Sequence, residues 1–290
     1  MSGNRQEPQH TIREAIVAAA RHLHGARVDS PRVDAELLAA HILGCDRGGL
    51  LTAGSFDAVQ EAEFFALVRR RAARVPLQHL IGTTGFRRLD LVVGAGGFIP
   101  RPETEVLVEW GLAGLPPDSL VVDLCAGTGA IGLAVAHERP DATVYAVERH
   151  PAALRWLHRN AADRQIAGDR PVTVVAGDAV AADVLTGLNG RVDLVLANPP
   201  YVPTGVVVPP EVADHDPESA VYAGADGLAV IRPLVHRAAG LLAPGGRLGV
   251  EHDDSHAEAV PDLLTRAGWT DVADHPDLAG RPRFATARRR

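Results

Sequence analysis

A short apolar run that ends in a turn of small residues and leads into a helical pattern limits the folds open to this chain. The run is Val121 to Leu124, the turn contains Gly127 and Gly129, and the helical segment covers residues 130–138. From this run onward, strand-like segments alternate with helical ones, which is typical of a parallel sheet. The sequence therefore predicts an α/β fold with a doubly wound, mostly parallel sheet whose last strand, 284–288, runs antiparallel.

The turn also matches a known ligand-binding expression. Residues Gly127 to Gly132 satisfy G-x-G-x-x-G, and Glu148 lies about twenty residues on, at the end of the next predicted strand. In dinucleotide-binding proteins the glycines follow the strand directly, so that a pyrophosphate reaches the helix N-terminus. In this chain, Asp123 and the pair Cys125-Ala126 come between the first apolar residues of the strand and the first glycine. Because an acidic side chain suits a cationic amino-acid group better than a pyrophosphate, the expected ligand is S-adenosyl-L-methionine.

Two further positions complete the expected ligand site. Glu148 is expected to accept hydrogen bonds from both ribose hydroxyls. The segment Gly177-Asp178-Ala179 follows the predicted strand 172–175 and falls where an adenine edge would bind. Each acid also has a purely structural interpretation, because Glu148 can be an ordinary strand-end acid and Asp178 can be a loop cap.

The tetrapeptide Asn198-Pro199-Pro200-Tyr201 follows another predicted strand, Val192 to Ala197. Two successive prolines cannot continue a strand, because neither has an N–H for the ladder. The rigid turn presents a carboxamide, unpaired carbonyls and an aromatic face where open α/β sheets bind ligands. A planar –NH2 group can donate to the Asn198 oxygen and the Pro199 carbonyl beneath the ring of Tyr201. We interpret the tetrapeptide as an amide-methylating site, with a proline-rich strand exit as the alternative.

In this order, the motifs resemble the class I S-adenosylmethionine-dependent methyltransferases. Further segments make the chain similar to the bacterial release factor glutamine methyltransferases, the HemK family, over nearly its whole length. These segments are Pro76 to Gly82, Phe98 to Glu105, Glu211-Val212, His215 to Pro217, Gly227-Leu228, Glu251-His252 and Arg283 to Arg288.

The resemblance implies an enzyme that methylates the side-chain nitrogen of the glutamine in the Gly-Gly-Gln motif of class 1 peptide chain release factors. The cofactor contacts it implies are at Cys125, Ala126, Gly127, Thr128, Gly129, Glu148, Asp178, Ala179 and Asn198. The catalytic residues it implies are Asn198, Pro199 and Tyr201, and the substrate-binding residues are Asn198, Pro199, Pro200 and Tyr201. It leaves open whether Arg101 and Glu103 contact cofactor or substrate.

The chain departs from the family pattern at a few of these positions. The family usually has glycine in place of Cys125, aspartate in place of Glu148 or Glu103, and a bulkier residue in place of Ala179. Side-chain contacts at these positions are therefore expected to differ more than backbone contacts, and adenine is expected to be held more loosely beside Ala179.

The N-terminal residues have the periodicity of helices. Apolar residues form one stripe from Ile12 to Leu23, a second helix is predicted from Ser30 to Gly44, and a third from about Asp57 to Arg71. The three arginines that close the third helix, Arg69 to Arg71, are interpreted as a solvated helix end, where cations are favourable.

The sequence predicts three parts. Residues 1–75 are expected to form a helical domain that docks the substrate protein. Residues 76–100 are expected to form an extended linker or hairpin, because apolar residues alternate with others from Arg88 to Val93. Residues 101–290 are expected to form the methyltransferase domain.

The numbers of charged residues exclude some catalytic mechanisms and disfavour a nucleic acid partner. The chain contains no lysine, which excludes Schiff-base catalysis and a P-loop. Residues 1–95 contain 12 arginines and 10 acidic residues, whereas residues 96–290 contain 17 and 26. A groove that follows nucleic acid phosphates needs clustered cations. No nucleic acid partner is therefore expected.

Other residues give no sign of a metal site or a membrane segment. Cys45 and Cys125 lie far apart without a C-x-x-C pattern, which fits a reducing compartment. The polar run His252 to His256 follows a predicted strand end and is interpreted as a surface loop, so that no metal is expected. Met1 to Arg13 is polar, and no apolar run approaches a membrane span. The expected location is cytoplasmic.

Three other functions compete with this interpretation. An enzyme that methylates an exocyclic amine of adenine or guanine can use the same tetrapeptide, but the chain lacks a basic face. A glutamine methyltransferase that acts on a ribosomal protein is usually different over 101–105. A scaffold that binds the cofactor and docks a translation factor without chemistry has no need of an intact tetrapeptide.

Overall fold

The computed structural model describes residues 11–290 and divides into two compact units, one ending at Gly82 and one beginning at Thr83. The polar stretch Met1 to His10, for which no apolar leader is predicted, lies outside the described residues. No helix within residues 11–290 is long and apolar enough to cross a membrane.

The N-terminal unit is helical. Its helices are α1 (Ile12–Gly25), α2 (Pro31–Leu43), α3 (Ala58–Ala72) and α4 (Leu77–Ile81). The three predicted helices are confirmed, and α1 and α3 begin with capping boxes at Thr11 and Asp57. The helix α4 occupies the first part of the predicted linker, and its Leu80 joins the apolar core of this unit.

The arginines at the end of α3 do not all face water. Arg69 and Arg70 are exposed, as the sequence predicts, but Arg71 is buried. Its Nε donates to Asp34 Oδ2 over 2.7 Å, so that the pair joins α3 to α2. The interpretation of Arg71 as solvated is therefore wrong, because a partner 37 residues away in the sequence compensates its burial.

The C-terminal unit contains a small hairpin and a seven-stranded sheet. The hairpin strands are β1 (Thr83–Phe86) and β2 (Leu89–Val92). The sheet strands are β3 (Leu120–Leu124), β4 (Thr143–Glu148), β5 (Thr173–Ala176), β6 (Val192–Ala197), β7 (Leu242–Glu251), β8 (Thr270–Pro276) and β9 (Pro282–Arg288). Their order is β5-β4-β3-β6-β7-β9-β8.

The pairing of these strands confirms the predicted fold class. Strands β3 to β7 run parallel to one another, and β9 lies antiparallel between β7 and β8. The chain extends the sheet to one side of β3 through β4 and β5, and to the other through β6 and β7. The strand order therefore reverses between β3 and β6, which is where doubly wound sheets bind ligands.

Helices cover both faces of the sheet. The helices of this unit are α5 (Thr104–Leu112), α6 (Ala130–Glu138), α7 (Pro151–Ile166), α8 (Pro210–Ala213), α9 (Glu218–Val221), α10 (Ile231–Leu241) and α11 (Ala259–Arg266), of which α8 and α9 contribute residues to the cavity described below. Alternate residues of β6 point to opposite faces: Leu194 and Leu196 belong to the apolar cluster that includes α5 and α6, and Val195 and Ala197 to the cluster that includes α10. Apart from Asp193, the strand is apolar, because both of its faces are buried.

Candidate active site

A cavity of about 250 Å³ opens at the carboxyl ends of the parallel strands. Loops that follow four strands line it, namely residues 125–128 after β3, 148–150 after β4, 177–179 after β5 and 198–202 after β6. All the residues assigned by resemblance to cofactor or substrate lie on this lining except Gly129. The fold thus brings together side chains that are up to 76 positions apart, from Cys125 to Tyr201.

The two turn residues that flank the loop after β3 require an unusual backbone. Cys125 has φ of 66°, in the left-handed region that favours glycine, and this is the position where the family usually has glycine. Gly129 has φ of 95° and starts α6. A Cβ atom on Gly129 would lie 2.5 Å from Leu157 Cδ1, so this glycine permits close packing between α6 and α7.

Glu148 sits at the end of β4 with its carboxylate bound by the backbone. Its Oε2 accepts from the Gly127 N–H over 2.9 Å, and its Oε1 accepts from the N–H groups of Arg149 and His150 over 2.8 and 2.7 Å. A carboxylate offers about four acceptor positions, so these bonds leave about one for a ligand hydroxyl. If Glu148 accepts from both ribose hydroxyls, one of its oxygen lone pairs must accept from a hydroxyl and a backbone N–H at the same time.

Asp123 does not line the cavity, contrary to the use that the sequence suggested for it. Its side chain is fully buried, and its Oδ2 accepts from the Gly132 N–H over 2.9 Å, while Oδ1 has no partner among the described residues. Burial and, to a smaller extent, the negative charge of Glu148 raise the pKa of Asp123 to about 8, although the hydrogen bond from the Gly132 N–H lowers it. Because Asp123 is turned toward Gly132 and away from the cavity, it is not placed to balance the positive charge of a ligand bound there.

The tetrapeptide after β6 is held by two residues that the sequence analysis did not single out. Asn198 Nδ2 donates to Thr104 Oγ1 over 3.0 Å, and the Thr104 hydroxyl donates to Glu251 Oε2 over 2.7 Å. The Tyr201 hydroxyl donates to the other oxygen, Glu251 Oε1, over 3.0 Å. Thr104 and Glu251 both lie in segments that carry the family resemblance, which was the available signal.

The acceptor groups of the tetrapeptide remain free. Within residues 11–290, no donor reaches Asn198 Oδ1 or the Pro199 carbonyl. Asn198 is half-buried and Pro199 is buried, and both line the cavity. Two acceptors fixed on a rigid turn can bind the two hydrogens of one –NH2 group.

An ion pair closes one wall of the cavity. Arg101 lies over the ring of Phe98 and donates from Nη2 to Asp216 Oδ2 over 2.9 Å. Burial raises the pKa of Asp216 to about 6, although Arg101 lowers it. Arg101 lines the cavity together with Pro217, and Glu103 does not line it.

The interpretation of 252–256 as a surface loop is correct for Asp254 and Ser255, which are exposed, but wrong for the two histidines, which are buried. His252 is fully buried, and its Nε2 lies 2.7 Å from Asp274 Oδ2. His256 is buried with its Nε2 3.0 Å from the Asp226 carbonyl. Partners more than twenty positions away in the sequence make this burial possible. Over the described range, no group of three or more acidic, histidine or cysteine side chains is arranged to hold a metal ion.

Comparison with known proteins gives the family. Residues 14–82 match a family model described as the PrmC N-terminal domain, and residues 104–213 match one described as the methyltransferase small domain. The chain is 52% identical to the release factor glutamine methyltransferase of Mycolicibacterium smegmatis, covering 96% of this chain and 98% of that protein. The chain belongs to the release factor glutamine methyltransferases.

Other members of the family are similar over the same extent. Identity is 47% with the protein of the same name from Streptomyces coelicolor, covering 94% of this chain and 96% of the relative. The release factor glutamine methyltransferase of Deinococcus radiodurans is 42% identical to this chain, covering 96% of this chain and 98% of the relative. The resemblance drawn from the motifs is therefore confirmed, and the chain is an enzyme of the methyltransferase class.

Proposed function

We propose that this enzyme transfers a methyl group from S-adenosyl-L-methionine to the side-chain nitrogen of the glutamine in the Gly-Gly-Gln motif of class 1 peptide chain release factors. The observation that carries the proposal is the pair of unoccupied acceptors on the tetrapeptide, Asn198 Oδ1 and the Pro199 carbonyl, at the wall of a cavity formed by the loops after β3 to β6. The names of the relatives support the choice of substrate.

The donor set of the cavity fits this cofactor. Glu148 keeps acceptor capacity for a ribose hydroxyl, and Asp178 and Ala179 line the part of the cavity after β5, where adenine would bind. The loop from Cys125 to Thr128 offers backbone groups without bulky side chains. S-adenosyl-L-methionine supplies a methyl group on a positively charged sulfur, which makes it an electrophile.

The protein's own contribution is to hold a poor nucleophile. The lone pair of an amide nitrogen is delocalised into its carbonyl, so the site must fix the nitrogen in position and favour a pyramidal geometry. Asn198 Oδ1 and the Pro199 carbonyl accept one N–H each, and the ring of Tyr201 covers the flat face of the amide. Pro200 keeps the turn rigid.

No base on the tetrapeptide removes the proton. A carboxamide takes no proton at neutral pH, so Asn198 binds and orients but does not act as a general base. The Tyr201 hydroxyl is already a donor to Glu251, and burial raises its pKa above the ordinary range, so it stays protonated. The methylated nitrogen therefore loses its extra proton to water after the transfer.

We propose further that the N-terminal helical part, 1–75, docks the release factor, with 76–100 as the connection to the methyltransferase part, 101–290. The acidic balance of residues 96–290 disfavours direct binding of nucleic acid, because phosphate recognition needs clustered cations. The expected place of action is the cytoplasm, where release factors work.

Labelled methyl transfer from S-adenosyl-L-methionine tests the proposal. The purified enzyme is incubated separately with a class 1 release factor, total RNA, DNA and ribosomes, and the products are mapped by mass spectrometry. One methyl group on the Gly-Gly-Gln glutamine is expected, and none on a Gly-Gly-Asn variant, because the shorter side chain withdraws the nitrogen by about an ångström or more from its reactive position. Methylation of nucleic acid or a ribosomal protein, but not of release factor, would overturn it.

A further inference from the structure

A chain of hydrogen bonds links the two functional side chains of the tetrapeptide through the interior. It runs from Asn198 to Thr104 over 3.0 Å, from Thr104 to Glu251 over 2.7 Å, and from Tyr201 to Glu251 over 3.0 Å. Thr104 is the first residue of α5 and Glu251 is the last residue of β7. Their exposed fractions are 3% and 1%, so no water competes for these bonds.

We propose that Thr104 and Glu251 are positioning residues that hold the Asn198 amide with its oxygen toward the cavity, an inference that rests on the proposed function. A threonine hydroxyl has one hydrogen. Because Thr104 gives that hydrogen to Glu251, its oxygen can only accept from Asn198, and the Asn198 NH2 must face it. The Asn198 oxygen then points the other way, where it can accept an N–H from the substrate.

Ionised Glu251 fixes this direction of the hydrogen bonds, because both of its oxygens then only accept. A protonated carboxyl donates from one of its oxygens. If it donates to Thr104, the hydroxyl of Thr104 becomes free to donate to Asn198. The Asn198 amide then rotates by about half a turn, and its NH2 group faces the N–H groups of the substrate. Two donors face each other in that arrangement, and no hydrogen bond forms between them. Protonation of Glu251 is therefore expected to lower the rate without removing any side chain.

The groups around Glu251 determine the pH at which its carboxylate becomes protonated. Burial raises the pKa of Glu251 to about 7, whereas the hydrogen bonds from Thr104 and Tyr201 and the charge of Arg283 lower it, and the charge of Glu103 raises it. These groups come from α5 and its preceding residue, the tetrapeptide and β9. Activity that depends on ionised Glu251 is lost as the pH falls through about 7.

Single-turnover methyl transfer to release factor, at saturating cofactor, separates positioning from folding. Thr104→Val keeps the shape but removes the hydroxyl, and the rate is expected to fall by about 10- to 100-fold, the range for partners that orient a ligating group. Cofactor affinity and KM should stay within about twofold, because Thr104 acts through Asn198. Thr104→Ser keeps the hydroxyl and should restore most of the rate.

Two further variants complete the kinetic test. Thr286→Val removes another buried threonine hydroxyl, which bonds to His275 outside the cavity, and should leave the rate unchanged. Glu251→Gln has no group that ionises at this position and should lack the loss of rate below about pH 7. Wild-type rates in Thr104→Val, or the same pH profile in Glu251→Gln and wild type, would overturn the proposal.

A measurement without substrate keeps this test independent of the proposed function. The chain has four asparagines, so ¹⁵N-asparagine labelling gives four side-chain amide signals, and Asn198→Ala identifies the one of interest. In the wild type, the Asn198 signal should move with a midpoint near pH 7, and in Glu251→Gln it should not. A signal that does not titrate, or titrates equally in both, would overturn the positioning role. A wild type that titrates but methylates no release factor would support positioning and overturn the proposed function.

Discussion

Replacing Asp123 by asparagine is expected to remove a large part of the pH dependence of stability. Asp123 has an ordinary pKa of 3.8, which burial raises to about 8 in the folded protein. Between these values the folded state holds a proton that the unfolded state has released, so stability is full below pH 4 and is lost as the pH rises toward 8. Each pH unit in this window costs about 1.4 kcal/mol.

The magnitude follows from the size of the window. From pH 5 to pH 7, Asp123 should lower the free energy of unfolding by about 3 kcal/mol, a large share of the 5–15 kcal/mol typical of a folded protein. In Asp123→Asn the amide oxygen can still accept from the Gly132 N–H, and nothing at this position titrates. The variant should therefore match the wild type near pH 4 and exceed its stability increasingly toward pH 7.

Urea unfolding at pH 5, 6 and 7 measures this difference. All three tryptophans, Trp110, Trp156 and Trp269, lie in the unit that contains Asp123, so their fluorescence reports its unfolding alone. The pKa values of Asp216 and Glu251 are also raised, so these groups also make stability depend on pH. Both residues are present in the variant and in the wild type, and their contributions therefore cancel in the difference between the two proteins.

Asp141→Asn is the matched control, because the hydrogen bond from Arg139 lowers the pKa of this carboxyl. A group with a lowered pKa gives stability that is present above its ordinary pKa and lost in acid, so this variant should keep the wild-type slope between pH 5 and 7. Parallel curves for Asp123→Asn and the wild type would refute the reasoning.

Two further predictions concern the cavity. In Gly227→Ala, where φ is 73°, the new Cβ would lie 2.3 Å from the Tyr201 carbonyl oxygen, so methyl transfer should fall by more than about tenfold. Gly280→Ala, with φ of 81° and no atom within 4 Å of the new Cβ, controls for backbone strain, and single-turnover rates measure both. Glu148→Ala should weaken S-adenosyl-L-methionine binding by about 2- to 13-fold, from the loss of one ribose hydrogen bond of about 0.5–1.5 kcal/mol. Calorimetry measures this affinity, and an unchanged value would remove Glu148 from the cofactor site.

The sequence was informative wherever a local pattern determines structure. The mostly apolar run Val192 to Ala197 predicted β6 with its bounds, since a strand buried on both faces is mainly apolar. Helix α6 was likewise predicted with its bounds, 130–138. The family resemblance, rather than a local pattern, pointed to Cys125 through Thr128, and these residues do line the cavity.

Side-chain direction could not be predicted in the same way. Asp123 was assigned to the ligand because it lies at a strand end, but the alternation of β3 turns it toward Gly132 of α6 and away from the cavity. Nothing in the residues around Asp123 indicates to which face of the strand it points, because the strand is covered on both.

Contacts between residues far apart in the chain could not be predicted from the sequence either. Thr104 and Glu251 are 147 positions apart, and only the fold shows that they share a hydrogen bond. The burial of His252 depends on Asp274, and that of Arg71 on Asp34. A polar run appears exposed in sequence unless its partners are known.

Single-turnover methyl transfer by Asn198→Ala, with saturating S-adenosyl-L-methionine and release factor, tests the central claim most directly. The rate is predicted to fall by about 10²–10³, the range found when one preorganised polar contact to the reacting group is removed. Cofactor affinity should change only a few-fold, since Glu148 and the loop from Cys125 to Thr128 are untouched. A near-normal rate would contradict the account, because the tetrapeptide would then be only the exit of a strand.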